Sequence, residues 1–452
     1  MEVLLSVGMI VALMLLLFCG YPVAFVLIGV AFCFAALGIA AGELNFSIFG
    51  LLPLRIFGLF SLNSIYPAVA PLIFMGVALE RSGLSRDMFL LASRIFGRAK
   101  SGLPIAVILL GILLAPTTGL LGPAVAMLAT TALPTMIDER VDTTTAMASI
   151  AAGGTIGIII PPAIMLFFLA ELIEVPVVTM FAGVLLPAGL MVAGYMLYFG
   201  LSYRRAHAQQ GQPADTRKIV SPNPLIWQIA KAILPVALVV VVLTSIAKGW
   251  ATPTQSGAVG ALGAFVLLFL NQGLAWRKLH DILVETAHIT AMVILLIIGA
   301  TTFTLIFRAL DGDSVFRQGL AALGLGPWGT LFAILTIVFI LGFFMDWIEI
   351  VLVTMPIFYP VIAKLEFLSH VGGPMLVQIW IAVAIALVLQ TSFLTPPFGF
   401  ALFFLRSSVP REIPTTAIYR AVVPLITIQL AVLAALLAVP WLATNLASRA
   451  IN

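Results

Sequence analysis

Long apolar runs separated by short polar joints make up nearly the whole chain. The runs fall near residues 2–19, 22–41, 46–80, 104–136, 143–170, 176–200, 226–247, 252–271, 280–309, 328–362, 375–405 and 414–443. About 20 apolar residues suffice for one helix to cross a bilayer, and several runs are longer. Four of them carry a break. Leu389 to Phe404, read as LQTSFLTPPFGFALFF, is interrupted at Thr395-Pro396-Pro397. The other proline pair, Pro161-Pro162, closely follows Gly153-Gly154-Thr155-Ile156-Gly157. Paired prolines remove backbone donors and clash with the preceding turn, so a helix stops there. In lipid the freed carbonyls are tolerated only where protein or a water-filled cavity covers them. The runs near 104–136 and 328–362 break at Pro116-Thr117-Thr118-Gly119 and at Gly342-Phe343-Phe344-Met345-Asp346. Each half, about 12 to 18 residues, is too short to cross comfortably, which predicts two re-entrant helical hairpins.

Taken in order, these elements repeat. Two spans, a long third span, a polar arm, a hairpin, a Pro-Pro helix and a final span fill residues 1–201. The same order fills 225–452, and the polar stretch 202–224 joins the halves as a cytoplasmic linker. The arms are Glu80 to Ser101 and Arg308 to Gly326. Pro22 and Pro253 open corresponding spans. Hairpin one lies near 104–136 and its broken helix near 143–170; hairpin two lies near 328–362 and its broken helix near 375–405. A periplasmic N-terminus places about 16 of the 22 Lys and Arg residues on the cytoplasmic side. The hairpins then enter from opposite faces, and the repeats are inverted. The expected fold is an all-α polytopic membrane protein, an alternating-access carrier rather than an open pore.

Composition agrees. With 62% apolar and 9% charged residues, the chain is no soluble domain. Its net charge of +4 reports basic loops, not a nucleic-acid partner. Cys19 and Cys33 lie in apolar spans and read as buried thiols. The four His residues have no metal-ligand spacing. The N-terminus lacks a basic n-region and reads as a retained first helix. No P-loop, zinc signature, dinucleotide fingerprint or nucleophile elbow occurs, so the chain reads as no enzyme and its energy comes from a gradient. An intramembrane aspartyl protease would need a second membrane aspartate, whereas Asp138, Asp142, Asp281, Asp311 and Asp313 fall in loops or an arm.

Candidate chemistry gathers where each hairpin tip meets a broken helix. In the first half these positions are Thr117, Thr118 and Gly119, with Gly153, Gly154, Thr155 and Gly157. In the second half they are Gly342 and Asp346, with Gln390, Thr391, Ser392 and Thr395. Half-helix C-termini offer carbonyls to Na⁺, and half-helix N-termini offer N–H groups to a carboxylate. The expected Na⁺ set is Asp346, Gly342, Thr118, Gly119, Gly154, Thr155, Thr391 and Thr395. The expected substrate set is Gln390, Ser392, Thr117 and Gly153. Asp346 has no Lys or Arg within ten residues, and a lone membrane carboxylate marks a functional site. Its other reading is a helix N-cap, compatible with the first. Glu349 shares its helix face. Trp347 reads as interfacial or structural.

GGTIGIIIPP at 153–162, GFFMDWIEI at 342–350 and QTSFLTPPFGF at 390–400 together resemble the large membrane subunit of tripartite ATP-independent periplasmic transporters. The resemblance covers essentially the whole chain. It implies an elevator-type carrier in the bacterial inner membrane, driven by Na⁺ bound at the hairpin tips. It also implies a small membrane subunit, a periplasmic substrate-binding protein and a small organic acid substrate. Asp346 matches the family's hairpin-two aspartate. Where many members read Ser-Gly-Ser-Ser, this chain has Thr118-Gly119-Leu120-Leu121, and Ala163 replaces a serine after the first proline pair. These departures weaken the first Na⁺ site or shift it onto backbone carbonyls. Ser392 stands where glycine is usual. MDWIEI with TSFLTPPFGF looks closest to the branch linked to 2-oxo and hydroxy monocarboxylates. The alternative is a stand-alone Na⁺/organic-anion symporter of the same fold, without a binding protein.

Overall fold

A computed structural model describes residues 2–62, 65–84, 87–89, 91–92, 102–118, 121–139, 141–210, 225–273, 276–322, 324–410 and 413–451. The regular elements among them are all helical. Apolar sequence makes this the expected outcome, because a helix satisfies its own backbone without water. The helices are α1 Glu2–Phe18, α2 Val23–Ala40, α3 Ile48–Ser61, α4 Val69–Arg81, α5 Gly102–Thr118, α6 Leu121–Asp138, α7 Thr143–Ile156, α8 Ile164–Leu172 and α9 Val177–Gln210. There follow α10 Leu225–Ala247, α11 Pro253–Gln272, α12 Trp276–Ala309, α13 Gly312–Ala322, α14 Gly326–Leu341, α15 Trp347–Ile362, α16 Pro374–Leu394, α17 Phe400–Ser408, α18 Thr415–Ala438 and α19 Trp441–Ile451. Among the described residues, seven helices are long and apolar enough to cross a membrane, or eight if the bent pair Ile48–Ser61 and Tyr66–Arg81 forms one span.

Local chemistry sets several boundaries. Pro253 sits in the first turn of α11, where its missing N–H costs nothing, and Thr252 and Gln255 close a capping box around it. Asp142 caps α7 by accepting from the Thr145 N–H at 3.0 Å. Both proline pairs interrupt helices: α7 ends at Ile156 and α8 starts at Ile164, while α16 ends at Leu394 and α17 starts at Phe400. Both Pro-Pro bonds are cis.

Two packing groups result. In one, α2 lies on α12, and α4 lies on α11 and α12. In the other, hairpin one (α5 and α6) packs on α7, and α14 of hairpin two packs on α16. The halves cross: α6 packs on α17, beyond the second proline pair, and α15 packs on α8, beyond the first. The groups touch where α4 meets α5 and where α12 meets α15. At the second contact Arg308 donates to the Pro356 carbonyl at 3.4 Å. Pro360 cannot give that carbonyl its usual helical donor.

Four expectations are altered or narrowed. The long third span is two pieces, α3 and α4, whereas its second-half counterpart α12 is continuous. The break expected over Pro116-Thr117-Thr118-Gly119 falls at the far end of that stretch, since α5 runs through Pro116 to Thr118 and α6 starts at Leu121. Cys19 and Cys33 are exposed on the helix surface, because apolar residues of a membrane helix need not face protein. Of the two readings of Trp347, interfacial or structural, its burial at 2% exposure fits the structural one. Much of the arm at 80–101 and the linker at 211–224 lie outside the described residues.

Candidate functional site

Asp346 sits at the junction of the two hairpins. It is the N-cap of α15, 8% exposed, and its carboxylate accepts from the Trp347 N–H at 2.7 Å. Glu349 completes a capping box by accepting from the Asp346 N–H at 3.3 Å. This is why an acidic residue three positions on shares the face. The Leu121 N–H, at the first turn of α6, also interacts with the Asp346 carboxylate. One buried carboxylate therefore serves the N-termini of both returning hairpin helices, whose partial positive charge favours an anion.

Gly342 closes the other side of the turn. A Cβ there would lie 1.9 Å from Ser392 Oγ and 2.7 Å from Ser392 Cβ. The hairpin-two turn and the end of α16 are thus in direct contact. Ser392 occupies the space because position 342 has no side chain. Phe344, in the same turn, meets the Phe398 ring beyond the second proline pair, centroids 5.2 Å apart.

The hydroxyls of α16 are tied to its own backbone. Thr391 donates to the Leu387 carbonyl, Ser392 to Leu389 and Thr395 to Thr391, each at 2.8 Å. Each oxygen keeps lone pairs for a cation or an N–H. Thr395 is the C-cap, so the carbonyl end of α16 lies where the hairpin turn presses on it.

In the first half the glycines serve contact. A Cβ on Gly111 would lie 2.1 Å from the Gly153 carbonyl, and one on Gly154 2.5 Å from Val125 Cγ2. Gly153 itself would meet the Val107 carbonyl at 2.8 Å. Both helices of hairpin one therefore rest directly on the α7 backbone. Thr155 is buried, donates to the Ala151 carbonyl at 2.8 Å and accepts from the Gln390 amide at 2.9 Å. Thr117 and Thr118 lie in the last turn of α5. Their side chains, and all of Gly119 and Leu120, lie outside the described residues.

Asp346, Gly342 and Ser392 thus share one junction, with Thr391 and Thr395 on the adjoining end of α16. Gly153 and Gly154 are packing positions. Gln390 is engaged with Thr155, inside the body. Leu121, whose backbone N–H faces Asp346, gave no sequence signal as an apolar residue.

Proline-broken helices clasped by two helical hairpins, with a buried carboxylate between the turns, define a polytopic membrane protein. The chain belongs to the family described as Tripartite ATP-independent periplasmic transporter, DctM component, which matches residues 10–442. It is therefore a component of a transporter, not an enzyme. It is 28% identical over 376 residues to the C4-dicarboxylate TRAP transporter large permease protein DctM of Pseudomonas aeruginosa, covering 82% of this chain and 84% of that one. The Sialic acid TRAP transporter large permease protein SiaM of Vibrio cholerae is 26% identical, over 96% of each chain. The Isethionate TRAP transporter permease protein DctMQ of Oleidesulfovibrio alaskensis is 28% identical over 93% of this chain, which spans 62% of that longer protein. Among solved structures, the Alcanivorax borkumensis YdaH transporter shares the fold at TM-score 0.56 and 18% identity, covering 87% of this chain and 89% of that one. Neisseria gonorrhoeae MtrF, of a class of antimetabolite efflux pumps, does so at TM-score 0.55 and 14% identity, covering 87% and 83%.

Proposed function

We propose that this chain is the translocating subunit of a binding-protein-dependent importer that couples Na⁺ influx to uptake of a small organic acid anion. One observation carries it: the Asp346 carboxylate, in the turn of hairpin two, meets the Leu121 N–H of hairpin one, and Gly342 of that same turn packs on Ser392 near the carbonyl end of α16. The Asp346 charge and those carbonyls attract a cation, and Thr391 and Thr395 supply further hard oxygens. Nearby helix N-termini, at α8 and α17, offer N–H groups to a carboxylate. The substrate class follows the similar permeases, named for C4-dicarboxylate, isethionate and sialic acid, all organic anions. The partners are a small membrane subunit and a periplasmic binding protein, and the N-terminus is periplasmic.

The packing pattern supports inverted repeats. The α2–α12 contact is answered by α11–α4, and α6–α17 by α15–α8. In this reading α2, α4, α11 and α12 form a scaffold, and the hairpins with the broken helices slide against it as a body. Na⁺ draws the hairpin turns onto the broken helices and completes the anion site before movement. A shared fold sets neither substrate nor direction, as the efflux pump among the fold's neighbours illustrates.

The test is uptake into proteoliposomes holding the two membrane subunits, offered labelled organic acids with or without the binding protein under an inward Na⁺ gradient. Uptake that needs both is expected. Uptake with Na⁺ alone would favour the stand-alone symporter. Asp346→Asn should abolish most Na⁺ dependence; Na⁺ dependence as in the parent would remove Asp346 from the site.

A further inference from the structure

A buried polar quartet ties the two halves together within the helical body. The Gln390 amide on α16 donates to Thr155 on α7 at 2.9 Å. Gln429 on α18 donates to the Tyr195 hydroxyl on α9 at 2.7 Å and lies 3.5 Å from the Gln390 carbonyl. The Gln390 side chain also reaches Tyr195. All four side chains are essentially inaccessible to solvent. The first contact joins residues 235 positions apart and the second residues 234 apart. The two cis proline pairs share the first of these spacings. Residues at equivalent places in two repeats touch each other only where a two-fold relation brings them together.

Such a cluster is costly. Among the described residues, the Oε1 atoms of Gln390 and Gln429 have no protein donor. Turning the Gln390 amide over would leave its nitrogen without an acceptor as well, because the single Thr155 hydroxyl hydrogen already serves Ala151 and cannot also serve the Gln390 oxygen. Apolar side chains of similar volume would pack here without that cost. A buried network retained against it sets one arrangement among several.

We propose that Thr155, Gln390, Gln429 and Tyr195 form a clasp that fixes the two broken helices against each other, so that both breaks open and close together. Gln429 and Tyr195 are positioning residues, acting through Gln390 and Thr155 on the half-sites of α7 and α16. The clasp rests on the carrier reading above for its purpose, and its test stands apart from Na⁺ coupling.

The experiment is hydrogen exchange on the reconstituted two-subunit complex, comparing the parent with Tyr195→Phe and Gln429→Met. In Na⁺-free buffer each substitution should speed exchange about tenfold in both breaks, at 157–163 and 395–399, including the break in the other half. Acceleration confined to the substituted helix, or at neither break, overturns the clasp. Added Na⁺ should protect both breaks together in the parent and unequally in the variants, a splitting that lost stability alone would not produce. Equal protection in the variants counts against the clasp. A parent that Na⁺ does not protect removes the coupling reading, and the Na⁺-free comparison still decides the clasp. If Gln429→Met fails to fold, Tyr195→Phe, which loses only a hydroxyl, decides.

Discussion

Ser392 and Gly342 divide one volume between them. Adding a methyl group at position 342 forces the turn off α16, since the nearest atom would be 1.9 Å away. Gly342→Ala should lower stability by about 1–3 kcal/mol, as overpacked sites do. Thermal unfolding in detergent measures it, and adding Ser392→Gly should restore most of the loss. Failure of that rescue would mean the contact is not the cause. Asp142 gives a second prediction at this scale. Partial burial raises its pKa, but hydrogen bonds from Thr144 and Thr145 outweigh that and hold the carboxyl below its usual range. A depressed native pKa adds stability that is present above the unfolded value and fades as pH falls through the folded one. Asp142→Ala should therefore cost about 1 kcal/mol near neutral pH and less once the pH is well below 4. Unfolding curves against pH check it. The burial of Asp346 was legible from its isolation among apolar residues. The nearness of Leu121 was not, because a backbone N–H leaves no mark in the sequence.

At the scale of elements, sequence spoke clearly wherever proline pairs stand, since no helix passes through them. At hairpin one the helix ends at Thr118 rather than at Pro116 itself, because a single proline near a helix end removes one hydrogen bond and need not stop the helix. Sequence did not mark the break between α3 and α4, where it carries no proline pair. The capping box at Asp346 separates two effects that a single substitution would merge. Asp346→Asn keeps a cap, because Asn accepts an N–H as well as Asp does, and removes the charge. Asp346→Ala removes both. Unfolding measurements should show Asn within about 0.5 kcal/mol of the parent and Ala lower by about 1 kcal/mol. Equal losses would show that the charge, not the cap, holds the turn.

For the whole molecule, the all-helical architecture and the order of helices, hairpins and proline breaks along the chain were legible. The crossing of α6 to α17 and α15 to α8 was not, because contacts between halves are set by packing that no spacing encodes. The proposed sliding motion would make the Arg308–Pro356 contact temporary. A cysteine pair at those positions, in a chain with Cys19 and Cys33 replaced by serine, should be joined by a reducible bifunctional thiol reagent, which blocks uptake until it is cleaved. Uptake at the parent rate by the cross-linked complex would argue against a body that moves past α12. Finally, the two rails along which such a body would run differ in stiffness. One is α12, 34 unbroken residues, about 51 Å at 1.5 Å per residue. The other is jointed between α3 and α4. A stiff beam opposite a hinged one flexes on the hinged side. A thicker or thinner bilayer should therefore deform the α3–α4 joint first, while α12 answers by tilting.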